Sequence, residues 1–344
     1  MVALLIAGAV SLAVPLLGMP LFIRALAARG IGQPIQEELL EMHAHKQGTP
    51  TMGGVMIVAG AAAGYAVAHV REGTIFTWGG LLTMAVVIGA AFVGFLDDFI
   101  KVRNDRNLGL RARTKMVGLL IVAVTFAVLA IRVADVHTTL SFVSYNRPGW
   151  HLGRIGWVAL AVFMIAGTTN GVNLADGFDG LAAGSAAVCF AAFVVIGFWE
   201  FRHVGYYHVT QALDLALVAA SMMGACTGFL WWNAAPAKIF MGDVGALGIG
   251  AGLGSLALMT STQLLLPLIG ALYVIESLSV MLQVTGYKLT KKRIFRMAPI
   301  HHHFDLGGWA ETAITIRFWI FVAMTTALAL GLFYATFITH GGID

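Results

Sequence analysis

The sequence predicts an all-α protein that crosses a membrane many times. Of 344 residues, 59% are hydrophobic and only 11% are charged, whereas soluble domains carry roughly 25% charged residues. Mean hydropathy is +0.84, too apolar for a single water-facing globule. The apolar residues also fall in repeated runs of about 20, the length of helix that spans a ~30 Å hydrocarbon core.

Ten runs are expected to span: about 2–23, 51–70, 77–96, 116–134, 155–172, 180–199, 212–232, 244–261, 264–286 and 312–338. The first, Val2 to Ile23, lacks the basic leader and cleavage site of a signal peptide and reads as a retained span. The third ends at Leu96, directly before Asp97 and Asp98. Only Thr260-Ser261-Thr262-Gln263 separates the eighth from the ninth. Glycines from Gly245 to Gly254 suit close helix packing in lipid. Cys189 and Cys226 lie inside apolar runs and read as small buried hydrophobes, without a disulfide framework or Cys-rich metal motif. No internal repeat divides the chain, so residues 1–344 are expected to form one integral membrane domain.

The loops differ sharply in charge. On this topology one side holds sixteen of the 21 Lys and Arg residues and the other holds five. The richer side is expected to be cytoplasmic, and ten spans then put both termini outside. Asp97, Asp98, Asp176, Asp179, Asp243 and Asp305 fall on the richer side, with Lys46, Lys115 and His301-His302-His303. The opposite loops offer Glu72, Asp135 and Glu200, none in a motif-like setting. The asymmetry predicts one charged site at the cytoplasmic face, built from five loops.

The first of these loops ends Lys46-Gln47-Gly48-Thr49-Pro50-Thr51-Met52-Gly53-Gly54. It reads either as a helix start capped by Thr51 or as Lys46 and free N-terminal amides facing an anion. Asp97 and Asp98 begin the second. Adjacent helical residues point about 100° apart, so the two acids are expected to do different jobs, or else to be a solvated helix end paired with Lys101 and Arg103. The third, Asn170 to Leu181, packs Asn170, Asn173, Asp176 and Asp179 at spacings of three with three glycines, a pattern for close approach to a ligand. In the fourth, Phe240-Met241-Gly242-Asp243, the acid is either a helix cap or a metal or phosphate ligand, and Phe240 is a base-stacking ring or an interface anchor. The fifth carries Lys291-Lys292-Arg293, which suits lipid heads or topology, and the His triplet, which cannot all face one centre from a helix.

Asp97, Asp98 and Asp243 together suit Mg²⁺, which prefers carboxylates plus substrate phosphate oxygens. The chemistry expected is phosphoryl transfer at the bilayer edge, with a lipid as one substrate. A transporter would instead need polar residues at mid-membrane, and only Glu276 and Asp214 fit that. No nucleic-acid partner is expected.

Gly-Thr-Pro-Thr-Met-Gly-Gly (48–54), Gly-Phe-Leu-Asp-Asp-Phe (94–99), Asn-Leu-Ala-Asp-Gly-Phe-Asp-Gly-Leu (173–181), Phe-Met-Gly-Asp (240–243) and Ala-Pro-Ile-His-His-His-Phe (298–304) resemble the motifs of the phospho-N-acetylmuramoyl-pentapeptide transferases. These bacterial enzymes belong to the polyprenyl-phosphate N-acetylhexosamine-1-phosphate transferase superfamily. The resemblance implies a Mg²⁺-dependent inner-membrane homodimer. In the family reaction undecaprenyl phosphate attacks UDP-N-acetylmuramoyl-pentapeptide, giving UMP and the first lipid-linked peptidoglycan precursor. It implies Asp243 as a metal ligand beside Asp97 and Asp98, and a nucleoside site at Lys46, Thr51, Asn173, Asp176, Phe240 and Gln283. It places His302 and His303 near the sugar or phosphates, Lys115 and Asn170 on the phosphate side, and a polyprenyl groove by the ninth span. Ala175, Phe178, Asp305 and Gly307 replace the family's Thr, Leu, Glu and Lys. The nearest alternative is a sister enzyme that uses UDP-N-acetylglucosamine.

Overall fold

A computed structural model describes residues 1–28, 48–72, 76–104 and 109–339. The long helices are α1 (Val2–Ala27), α2 (Gly54–Glu72), α3 (Trp78–Arg103), α4 (Ala112–Val133), α5 (Gly153–Ala175) and α6 (Leu181–Arg202). After the short α7 (Val204–Tyr207) come α8 (Ala212–Asn233) and α9 (Gly242–Met259). The short α10 (Leu266–Ile269), α11 (Ala271–Thr290), the short α12 (Ile300–Asp305) and α13 (Glu311–Thr339) complete the chain. Between α4 and α5 a small antiparallel hairpin pairs β1 (Thr139–Leu140) with β2 (Trp150–His151), Thr139 opposite His151.

Each expected span but the ninth corresponds to one long helix, and the ninth, 264–286, covers the short α10 and most of α11. Among the described residues, eight helices are long and apolar enough to cross a membrane, and α2 adds a shorter apolar stretch, Gly54–Val70. Helix α11, in the ninth expected span, falls outside that group because Glu276, Gln283 and Lys288 dilute its apolar run. The chain is a multi-pass membrane protein. One buried apolar cluster takes residues from all ten long helices, from Ala3 to Phe337.

Hydrogen bonds link connections that are far apart in the chain, gathering them at the ends of the helices. At one end the start of α3 meets the start of α8: Asp214 accepts from the Thr77 amide and hydroxyl, both at 2.7 Å, and lies 3.0 Å from His69 Nε2. The hairpin sits there too, where the Ser141 amide donates to Gln263 Oε1 at 3.0 Å and the Leu264 amide to Ser141 O at 2.9 Å. These bonds hold the short break between α9 and α11 as a real turn. Asp214 is therefore a structural knot far from the acids at the other end.

Helix α9 is the axis of the bundle. Every residue from Asp243 to Met259 is buried. It packs chiefly on α3 and α5, and its glycines let neighbouring backbones close in. A side chain on Gly94 of α3 would collide with the backbone of Asp243 and Val244. Gly94 lies one turn before Asp97 and Asp98 on the same helix face. The crossing that needs a glycine is thus the crossing that brings the three acids together.

Candidate active site

The acids are helical rather than in loops. Helix α3 continues past the apolar run to Arg103, and Asp243 sits in the first turn of α9. The carboxylate oxygens of Asp97, Asp98 and Asp243 lie within 4.8 Å of one another, and all three side chains are buried. Lys101, four residues after Asp97, places Nζ 2.5 Å from Asp97, 3.3 Å from Asp98 and 2.7 Å from Asp243. Lys115 of α4 reaches the same Asp243 oxygen at 2.8 Å. Three carboxylates so close repel strongly unless cations sit among them. A hard-oxygen set of this size fits a divalent cation such as Mg²⁺.

The adjacent acids have different partners, as their angular offset requires. Asp97 accepts from the Leu110 amide at 2.8 Å and ties down the chain that leads into α4. Asp98 accepts from the Val244 amide at 3.1 Å and so caps α9 from another helix. The cap is not Asp243 itself; Gly242 precedes it with φ +73°. A Cβ on Gly242 would meet Asp98 Oδ2 at 2.5 Å and Thr51 Oγ1 at 3.2 Å.

A cavity of about 250 Å³ opens beside this cluster, lined by Asp98, Lys101, Asp243, Asn173, Asp176, Phe240 and Asn233 among others. Asp176 stands just beyond the end of α5. Burial pushes its carboxyl well above the usual range, and the negative charges of Asp243 and Asp98 push it further. Positive charge brought into the cavity pulls it back down.

The chain matches the Glycosyl transferase family 4 model over residues 78–261 and the Phospho-N-acetylmuramoyl-pentapeptide-transferase signature 1 over residues 46–58. It is 51% identical to the phospho-N-acetylmuramoyl-pentapeptide-transferase of Frankia casuarinae, over 98% of this chain and 99% of that protein. Identity is 47% to the protein of the same name from Saccharopolyspora erythraea, over 98% of each, and 46% to that of Streptomyces avermitilis, over 96% and 97%. The chain belongs to the phospho-N-acetylmuramoyl-pentapeptide transferase family.

The other expected site residues of this family member occupy several different positions. Asn173, Asp176, Asp179 and Phe240 line the cavity. Asp179 is also a brace: it accepts from the Ala237 amide at 2.9 Å, and its own amide donates to Glu311 at 2.8 Å. Lys115 touches the acid cluster, and Thr51 lies buried behind Gly242. Asn170 turns back onto its own helix, donating to Ala166 O at 2.7 Å. Gln283 clamps the chain after α11, accepting from the Ile294 and Phe295 amides at 3.0 and 2.9 Å. Lys46 lies outside the described residues.

Both alternatives for the first loop, a Thr51 cap or free amides facing an anion, need correcting. Helix α2 starts at Gly54, three residues after Thr51. The Gly53 and Gly54 amides donate to Phe240 O and Met241 O at 2.9 and 2.8 Å. These amides join the first and fourth loops instead of facing an anion.

The three histidines point to three places, as a helix requires. His301 is fully buried with Nδ1 3.1 Å from Glu276. His302 lies edge-on to Phe178, their ring centres 5.3 Å apart. His303 Nδ1 accepts from the Arg296 amide at 3.1 Å. His301 and His302 thus support the Asp176–Asp179 loop through Phe178, His303 holds the chain at Arg296, and none of the three is among the residues that line the cavity.

Sequence reasoning passed over Lys101, Asn233 and Glu276 as site residues. The Lys101 signal was its spacing of four and three from the two acids. Asn233 accepts from the Gly180 amide at 3.1 Å and donates to Ile239 O at 2.9 Å; no local pattern marks it. Glu276 is the one acid within α11, and its only ion-pair partner among the described residues is His301. Glu276→Ala should cost about 1–3 kcal/mol by leaving a buried imidazole nitrogen without its nearest polar group. Thermal unfolding of the detergent-purified protein should fall accordingly, with Glu276→Gln recovering most of the loss; an unchanged midpoint in Glu276→Ala would contradict the pairing.

Proposed function

We propose that this chain transfers phospho-N-acetylmuramoyl-pentapeptide from its UDP carrier to undecaprenyl phosphate, giving UMP and the first lipid-linked peptidoglycan precursor. The observation that carries this is the cluster of three carboxylates and two lysines beside a polar cavity, in a chain of this family. Residues 1–344 act as one transferase unit in the bacterial inner membrane, as a homodimer. The acidic end faces the cytoplasm because the loops assigned to it carry sixteen of the 21 basic residues. Both termini then face outward.

Phosphoryl transfer depends mainly on positioning and charge neutralisation. Magnesium bound by Asp97, Asp98 and Asp243 supplies charge neutralisation to the pyrophosphate oxygens. Lys115 holds a fixed positive charge beside Asp243 and faces the phosphates. Asn173 offers its amide to the nucleoside, and the Phe240 ring offers a stacking face to the uracil. A phosphate monoester is already largely ionised near neutral pH. The lipid phosphate therefore attacks without needing Asp97 or Asp98 to remove a proton, and the two acids act by position and charge. The polyprenyl chain lies along the exposed apolar face of α11, at Leu278, Met281 and Leu282.

The test is UMP release by the purified protein with undecaprenyl phosphate, Mg²⁺ and each candidate sugar nucleotide. Turnover is expected with UDP-N-acetylmuramoyl-pentapeptide. Turnover only with UDP-N-acetylglucosamine would place the chain with the sister enzymes, and turnover with neither would overturn the reading.

A further inference from the structure

Lys101 occupies an unusual position for a helix lysine. Its ammonium sits among the three carboxylates, 2.5 Å from Asp97 Oδ2, 3.3 Å from Asp98 Oδ1 and 2.7 Å from Asp243 Oδ2. The acids are buried, while the Lys101 side chain keeps 29% of its surface exposed. Lys115 differs: of the three acids it pairs with Asp243 alone, at 2.8 Å. A Mg²⁺ ion binds carboxylate oxygens at about 2.0–2.1 Å. The oxygens it would use are the ones that now hold the ammonium, and two cations cannot share that space.

We propose that Lys101 is an exchangeable counter-ion: it neutralises the three acids until a divalent cation binds, then gives up that position and turns its ammonium to the cavity. This rests on the transferase reading, in which those acids hold Mg²⁺. Three features of the chain support the exchange. Lys101 lies on the last turn of α3, where its four-carbon stem can swing without moving backbone. Its side chain already forms part of the cavity wall, beside Asn173 and Asp176. The released charge therefore stays where a nucleotide's phosphates enter, so the wall gains a positive charge at the moment the acids are neutralised by another ion. The bare acids also stay together between turnovers, since an ammonium always replaces the departing ion. Lys115, which reaches only Asp243 of the three acids and does so from a different helix, is the fixed charge of the pair.

The test compares Mn²⁺ binding, by loss of the free-ion electron paramagnetic resonance signal, in the detergent-purified full chain and in Lys101→Met and Lys115→Met. Both variants remove one positive charge from beside Asp243, so Lys115→Met measures the part of the gain that comes from charge removal at that acid. Both ammonium groups hold Asp243 Oδ2, but only Lys101 also holds oxygens of Asp97 and Asp98, so competition for the whole three-acid position is greatest at Lys101. Lys101→Met should bind Mn²⁺ about tenfold tighter than the unaltered chain and tighter than Lys115→Met. Its unfolding temperature without metal should be lower than that of the unaltered chain, and should rise more on adding Mn²⁺. Lys101→Gln, whose amide still donates to a carboxylate, serves if the methionine variant does not fold. Mn²⁺ affinity in Lys101→Met no greater than in the unaltered chain, or no greater than in Lys115→Met, would overturn the exchange and leave the transferase reading intact. No Mn²⁺ binding by the unaltered chain would overturn both the exchange and the metal assignment.

Discussion

Asp243→Ala should lower turnover about a thousandfold, ~4 kcal/mol in the barrier, while the protein still inserts and folds. Asp243 is the acid that both lysines reach, at 2.7 and 2.8 Å. It sits at the start of the most buried helix, held by the backbone crossing at Gly94. Truncation removes one of three carboxylates from the candidate cation site and leaves both ammonium groups with fewer partners. The helix itself is not threatened, because the side chain that caps it is that of Asp98. The expected result is a variant with near-normal expression and thermal unfolding, lost UMP release, and weakened Mn²⁺ binding. Full activity in a folded Asp243→Ala protein would refute the metal assignment.

Asp97→Asn and Asp98→Asn should each cripple turnover, by about a hundredfold or more, but for different structural reasons. Asparagine at 97 can still accept from the Leu110 amide, and asparagine at 98 from the Val244 amide, so both variants should fold. What each loses is one negative charge from the cluster that Lys101 bridges. Alanine separates the two positions. Asp98→Ala also uncaps α9 and should lose about 1 kcal/mol of stability, whereas Asp97→Ala loosens only the chain before α4. Turnover and unfolding temperature, measured side by side on the four variants, check this. Equal and full activity in either asparagine variant would sink the assignment of that acid.

Much of this site is legible along the chain because its signals are local. An apolar run of about 20 residues is a span wherever it occurs, and carboxylates are costly enough near lipid that their presence marks a site. The side bias of Lys and Arg, the adjacent acids at 97 and 98, and the Asn and Asp spacing after residue 170 need no partner to be noticed. The fold class and the chemistry expected of the acids follow from these patterns.

Other assignments depend on residues far apart in the chain. Asp243 joins Asp97 and Asp98 across more than a hundred residues because glycine backbones let α3 and α9 touch. That contact turns Asp98 into a cap for another helix, and it puts Lys101 among three acids instead of two. The α2 amides, which by themselves look free for an anion, are taken by the carbonyls of Phe240 and Met241. Gln283, His301 and His303 also brace the chain around α11 and α12, through Ile294, Phe295, Glu276 and Arg296, which no local pattern in the sequence indicates. The sequence by itself determined the membrane spans, the end of the bundle that carries the charge, and the kind of chemistry. The tertiary structure alone decided which charged groups meet and which of them are already spoken for, because a hydrogen bond is made only when packing brings its two distant halves within about 3 Å.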